Sequence, residues 1–131
     1  MYKRKIIEYF KNPKHAGKIK NPSGIGEEGN AKCGDIMTVY IKVKNNKIED
    51  IKFSTFGCVA AIASSEALCR LAKGKTVDEA MKITDGDIVN ELGGEMPSIK
   101  YHCSLLGSKA LHKAIEDYKN KQRKKKQDTG R

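Results

Sequence analysis

Apolar and polar positions alternate most regularly between Met37 and Lys44. Met37, Val39, Ile41 and Val43 face one way; Thr38, Tyr40, Lys42 and Lys44 face the other. Period two is the signature of a strand with one buried face. Asn45-Asn46-Lys47 supplies a turn, and Ile48 to Phe56 reads as the antiparallel partner in a hairpin. Upstream, Tyr2, Ile6, Ile7 and Phe10 share a helical face, and Asn12-Pro13 stops that helix. Lys14 to Asn30 contains Gly and Pro and reads as loop, with a short strand near Ile25–Gly29.

After Gly57 the period lengthens. Cys58 to Lys73 is rich in Ala and Leu and predicts a helix closed by Gly74. Thr76-Val77-Asp78-Glu79 is a capping-box pattern that opens another. Asp85–Leu92 predicts a short helix ended by Gly93-Gly94, and Pro97 keeps the next stretch extended. From Cys103 a long helix runs toward Lys121, with Leu106, Ala110, Ala114 and Tyr118 on one face, flanked by Leu111 and Ile115. The expected class is α+β, a small antiparallel sheet of about three strands packed with helices. No internal repeat and no interdomain linker is visible.

The 131 residues suit one domain. The formal charge of +10 points first to nucleic acid, but aromatics are only 6% and Trp is absent, which disfavours a base-stacking surface. The charge is also terminal. Residues 1–20 hold seven basic and one acidic side chain, and residues 119–131 hold seven and one; the segment between them is slightly acidic. This divides the chain into a domain over 1–118 and a basic tail over 119–131, expected to fray. The charged ends suit docking to acidic protein surfaces better than nucleic acid. No apolar run reaches membrane-span length, and Met1–Phe10 has no signal-type apolar core. The expectation is a cytoplasmic protein.

Four cysteines without an export signal point to thiols that bind metal or do chemistry. Cys33 lies just before the first long strand, followed by Gly34 and Asp35. Cys58 lies between a strand and a helix. Cys103, preceded by His102, opens the last predicted helix. At a helix N-terminus a thiolate is stabilised. Cys69 stands apart. It follows Cys58 by eleven residues on one predicted helix, about 16 Å along its axis. Metal–sulfur bonds are about 2.3 Å, so Cys69 is assigned to the core. Three thiols with a nearby carboxylate and imidazole suit zinc, copper(I) or an iron–sulfur cluster. Asp35, a hard oxygen donor, would be the most exchangeable ligand.

Other patterns carry less. Gly24 to Gly29 matches the dinucleotide pattern GxGxxG, but no strong strand precedes it, no helix follows, and Glu27 and Glu28 would repel a pyrophosphate. His15 and His112 have no motif support as ligands, and His112 is expected on a helix surface. Ser64 and Ser65 have no base at a suggestive position.

Four stretches together resemble the U-type iron–sulfur cluster scaffold proteins, IscU and the N-terminal domain of NifU. They are YFKNPKHAG at Tyr9–Gly17, GNAKCGDIM at Gly29–Met37, FSTFGCVAAIASSEAL at Phe53–Leu68 and MPSIKYHCSLLGSKALHKAI at Met96–Ile115. The resemblance spans nearly all of residues 2–118, in the expected order. It implies a SufE/NifU-like fold and a role as carrier rather than enzyme. Sulfur arrives as persulfide from a cysteine desulfurase, and a [2Fe–2S] cluster is built on Cys33, Cys58 and Cys103, with Asp35 or His102 as fourth ligand. Cys103 matches the persulfide acceptor, Asp35 the aspartate that keeps the cluster labile, and Lys100 a lysine beside the site. Apo iron–sulfur proteins receive the cluster, ferredoxin supplies electrons, a homodimer can couple two clusters into a [4Fe–4S] form, and zinc occupies the cluster-free site.

Two departures bear on this. The family's chaperone-docking segment has two adjacent prolines; here it reads Met96-Pro97-Ser98-Ile99-Lys100, which puts an Hsp70/J-type chaperone pair in question. The insertion between the second and third cysteines of the zinc-dependent SufU branch is absent. That ranks cluster scaffolding above its alternative, a zinc-dependent sulfurtransferase.

Overall fold

The computed structural model describes residues 4–30, 35–57, 59–93 and 98–129. The order is α1 (Arg4–Lys11), β1 (Gly24–Asn30), β2 (Asp35–Lys44), β3 (Lys47–Phe56), α2 (Val59–Ala72), α3 (Val77–Ala80), α4 (Asp85–Glu91) and α5 (Ser98–Thr129). The strands form an antiparallel sheet in the order β1-β2-β3.

The period-two alternation of β2 is what the sheet uses. Met37, Val39 and Ile41 are buried beneath α2 and α5, while Ile36 on the opposite face is exposed. Asn45 and Asn46 turn the chain with φ of 55° and 64°, a left-handed region that Asn tolerates. β3 departs from strict alternation because Lys42 pairs with Asp50 and Val43 with Ile48. Glu49 is the extra residue of this bulge, and it lets both Ile48 and Ile51 point inward.

Gly24 and Gly26 have a packing reason. Both lie on the inner face of β1, where α5 crosses. A Cβ at Gly24 would sit 2.2 Å from the Ala114 carbonyl oxygen, and one at Gly26 2.1 Å from that of Ala110. Backbone meets backbone with no side chain between, which explains the GxGxxG coincidence without a nucleotide. Asp117 completes the crossing by accepting the Ile25 N–H at 2.9 Å.

The outer edge of β3 is covered. Phe53 N–H donates to the His15 carbonyl at 3.0 Å and its own carbonyl accepts from Gly17 N–H at 2.8 Å. At the start of β3, Ile48 N–H donates to Lys75 and its carbonyl accepts from Gly74.

The capping box at Thr76 forms as expected, with Glu79 N–H donating to Thr76 Oγ1 at 3.1 Å and Thr76 N–H to Glu79 Oε1 at 3.0 Å. A second one, Thr84 with Asp87, was not anticipated. The last helix also differs from expectation. α5 starts at Ser98, not Cys103, so Ser98–Lys100 are helical rather than extended. Proline lacks an N–H and is tolerated where a helix begins; Pro97 precedes this start rather than prolonging an extended segment. α5 runs on through Thr129, so the basic segment continues the helix.

Gly26→Ala should lower stability by about 3 kcal/mol, the upper range for overpacking, because backbone cannot yield as a side chain can. Gly86 in α4 would place a Cβ at 3.6 Å from Thr84 Oγ1, ordinary contact. Gly86→Ala should therefore raise stability by about 0.5 kcal/mol. Urea unfolding of both variants checks the pair; equal effects would contradict the crossing geometry.

Candidate metal centre

Strand register brings several junctions to one end of the sheet. Asn30 pairs with Asp35, and Ile36 pairs with Phe56. The β1–β2 connection and the β3–α2 connection therefore start from the same end. Cys33 belongs to the first connection and Cys58 to the second. Both residues lie outside the described set, as do Met96 and Pro97.

The course of α5 brings a third segment toward that end. Along β1, Gly24 meets Ala114 and Tyr118, and Gly26 meets Ala110 and Ala114. Glu28 pairs with Lys113 at 3.0 Å. Helix and strand thus run antiparallel. A strand rises about 3.3 Å per residue and a helix about 1.5 Å. Four strand residues from Gly26 to Asn30 correspond to roughly nine helix residues from Ala110, near position 101. The backbone of His102 and Cys103 is therefore level with the Asn30–Asp35 end. Asp35 opens β2 there. The side chains of Asp35, Lys100, His102 and Cys103 are outside the described set, as are those of Ser98 and Ile99. Among the described side chains, no three His, Cys, Asp or Glu groups gather around one point.

A family description, the NifU-like N terminal domain, matches residues 1–125. The chain belongs to this family. It is 54% identical over 118 residues to an Archaeoglobus fulgidus protein named iron-sulfur cluster assembly scaffold protein IscU 1, covering 90% of this chain and 76% of that one. It is 46% identical over 123 residues to the Aquifex aeolicus IscU scaffold protein, covering 92% and 78%. A solved SUF-system structure from Fervidobacterium islandicum AW-1 superposes with a TM-score of 0.75 at 32% identity, covering 87% of this chain and 96% of that one.

In this NifU-like domain Cys69 lies apart from the junctions, as the helix spacing implied. It is fully buried in the core on α2. Burial pushes its thiol pKa well up, and the Glu66 charge adds to this. Ser65 fixes the start of α2. Its Oγ donates to the Ala61 carbonyl at 2.8 Å and lies 2.7 Å from Thr55 Oγ1 on β3. On α5, Ser108 donates to Asp85 Oδ1, tying that helix to α4. Ser64 Oγ and His112 Nε2 are buried without a partner among the described residues. For His112 this replaces the expected surface position.

Glu66 is the residue that sequence reasoning missed. It is fully buried and accepts from His15 N–H and from Arg70 Nε, each at 2.8 Å, with His15 Nδ1 also at 2.8 Å. Arg70 lies over the Tyr9 ring at 4.2 Å, and Tyr9 O–H donates to Glu91 at 2.9 Å. The carboxylate thus fastens the N-terminal segment onto α2. The available signal was one acidic residue in an otherwise small and apolar helix, ASSEAL.

Glu66→Ala should cost about 3 kcal/mol by stranding its donors. Cys69 should resist iodoacetamide in the folded protein and react once urea unfolds it. Alkylation of Cys69 at the rate of an exposed thiol under native conditions would contradict its core position; mass spectrometry reads both.

Proposed function

We propose that this chain is an IscU-type iron–sulfur cluster assembly scaffold. The carrying observation is that the Asn30–Asp35 pair and Phe56 share one end of a small sheet, with the first turns of α5 level with it. Membership of the NifU-like family supports it, as do the relatives named as scaffolds. In this reading Cys33, Cys58 and Cys103 supply thiolates, which suit iron and sulfide. Asp35 or His102 supplies the fourth ligand. The cluster is cargo, so a weak fourth ligand serves release. The protein acts as carrier rather than enzyme.

The partners follow from this chemistry. A cysteine desulfurase delivers persulfide sulfur, with Cys103 as the acceptor, and an electron donor such as ferredoxin completes its reduction to sulfide. Apo iron–sulfur proteins take the finished cluster. The [2Fe–2S] form is the working cargo, the [4Fe–4S] form belongs to a dimer, and zinc fills the site between cycles. A chaperone reading Met96–Lys100 as an extended peptide would first have to unwind the start of α5, where Ser98–Lys100 are helical.

Anaerobic reconstitution with iron and sulfide tests the scaffold. Wild type and Cys69→Ser should develop [2Fe–2S] absorption and Mössbauer signals; Cys33→Ser, Cys58→Ser and Cys103→Ser should each lose most of them. A wild type that stays colourless yet retains zinc and transfers persulfide sulfur is instead a sulfurtransferase.

Asp35→Ala should keep the cluster but pass it to apo-ferredoxin about tenfold more slowly, since oxygen exchanges at iron more readily than thiolate. Circular dichroism of the acceptor during transfer gives the rate. Unchanged kinetics would remove Asp35 from release.

A further inference from the structure

The end of the sheet away from the Asn30–Asp35 pair carries a second built feature. A cleft of about 400 Å³ opens between the β2–β3 turn and the α2–α3 turn, lined by Lys44, Asn45, Lys47, Ile48, Glu49, Lys73 and Gly74. Lys44, Lys47 and Lys73 are exposed, and among the described residues none of them forms an ion pair. The two turns are stitched together by backbone. Ile48 N–H donates to the Lys75 carbonyl at 2.8 Å, Gly74 N–H to that of Ile48 at 2.9 Å, and Val77 N–H to that of Asn46 at 3.0 Å. The lysines therefore project from a fixed frame.

Most of the nearby carboxylates are already engaged. Asp78 pairs with Lys119 at 3.5 Å, Glu79 caps α3, and Asp50 accepts its neighbour's N–H. Among the described residues Glu49 alone lines the cleft as an acid, against three lysines. The region is thus locally positive inside a central segment that is slightly acidic overall. Its lysines are distinct in sequence from the terminal runs of basic residues.

We propose that this lysine-ringed cleft docks an acidic segment of a partner protein. The alternative anion is a phosphate group, and the backbone disfavours it. Phosphate cradles use free N–H groups and forked guanidinium donors. Here the N–H groups of Ile48, Gly74, Lys75 and Val77 are all donated within the fold, and no arginine lines the cleft among the described residues. What remains is a set of flexible, solvated ammonium groups, which match spread-out carboxylates. β2 runs ten residues from Asp35 to Lys44, about 30 Å at ~3.3 Å per residue. A partner held here leaves the Asn30–Asp35 end open.

Titration of the ¹⁵N-labelled full chain with an octaglutamate peptide tests the site residue by residue. Backbone amides 44–49 and 73–75 should show the largest, saturable shifts. Lys44→Gln/Lys47→Gln/Lys73→Gln should weaken binding at these amides by about tenfold. Lys44→Arg/Lys47→Arg/Lys73→Arg should retain it. Lys14→Gln/Lys82→Gln/Lys109→Gln removes the same charge from exposed positions elsewhere and should leave binding within about twofold. Shifts confined to residues 119–131 would overturn the proposal. So would equal losses in the two glutamine variants, or tighter saturation of the same amides by inorganic pyrophosphate or a short oligonucleotide. None of these outcomes depends on cluster assembly, so the docking site stands or falls independently of the scaffold reading.

Discussion

The contact on which the rest depends is the crossing of α5 over β1 at Gly24 and Gly26. Two residues without Cβ let a helix backbone lie directly against a strand. Ala110 and Ala114 keep the helix side of the crossing small. The separation of the two elements is therefore fixed by main chain, which cannot swap rotamers. Because α5 and β1 run antiparallel, this contact also sets how far α5 reaches along the sheet. It brings the backbone of residues 102 and 103 level with the Asn30–Asp35 pair, about two helical turns from the contact at Ala110. A wider crossing would leave the sequence unchanged but alter how far along the sheet the first turns of α5 reach.

A second constraint acts on α2. Ser65 and Thr55 join its first turns to the end of β3, and Glu66 gathers donors from the N-terminal segment. A fully buried carboxylate is costly unless its hydrogen bonds are complete; here both oxygens have partners. The stretch from Tyr9 to Gly17, which by sequence reads as helix end and loop, is thereby part of the domain. The same helix keeps Cys69 in an apolar interior, where its thiol stays protonated.

What was legible in the sequence was local. The β2–β3 hairpin, the Ala-rich α2 and the Thr76 capping box each announce themselves within a few residues through alternation, turn chemistry or spacing. β1 was only half legible because a glycine-rich strand shows no alternation, and its glycines answer to a helix more than eighty residues away. The start of α5 was displaced because Pro97 marks a boundary without stating on which side the helix lies. Glu66 was invisible because its donors, His15 and Arg70, are brought to it by tertiary structure. For the candidate site, residue chemistry and family resemblance singled out the cysteines; that the Asn30–Asp35 pair, Phe56 and the first turns of α5 share one end of the sheet emerges only from strand register and the antiparallel course of α5.

The covered edge of β3 has a consequence for self-association. An exposed strand edge is a template on which another chain can extend the sheet. Here Ile48 and Phe53 already spend their outward hydrogen bonds on residues 74–75 and 15–17. Two copies cannot fuse their sheets through β3 without first peeling the N-terminal segment from Glu66. Contacts between copies that leave this edge in place must use other surfaces, and they can come apart again without unfolding β3.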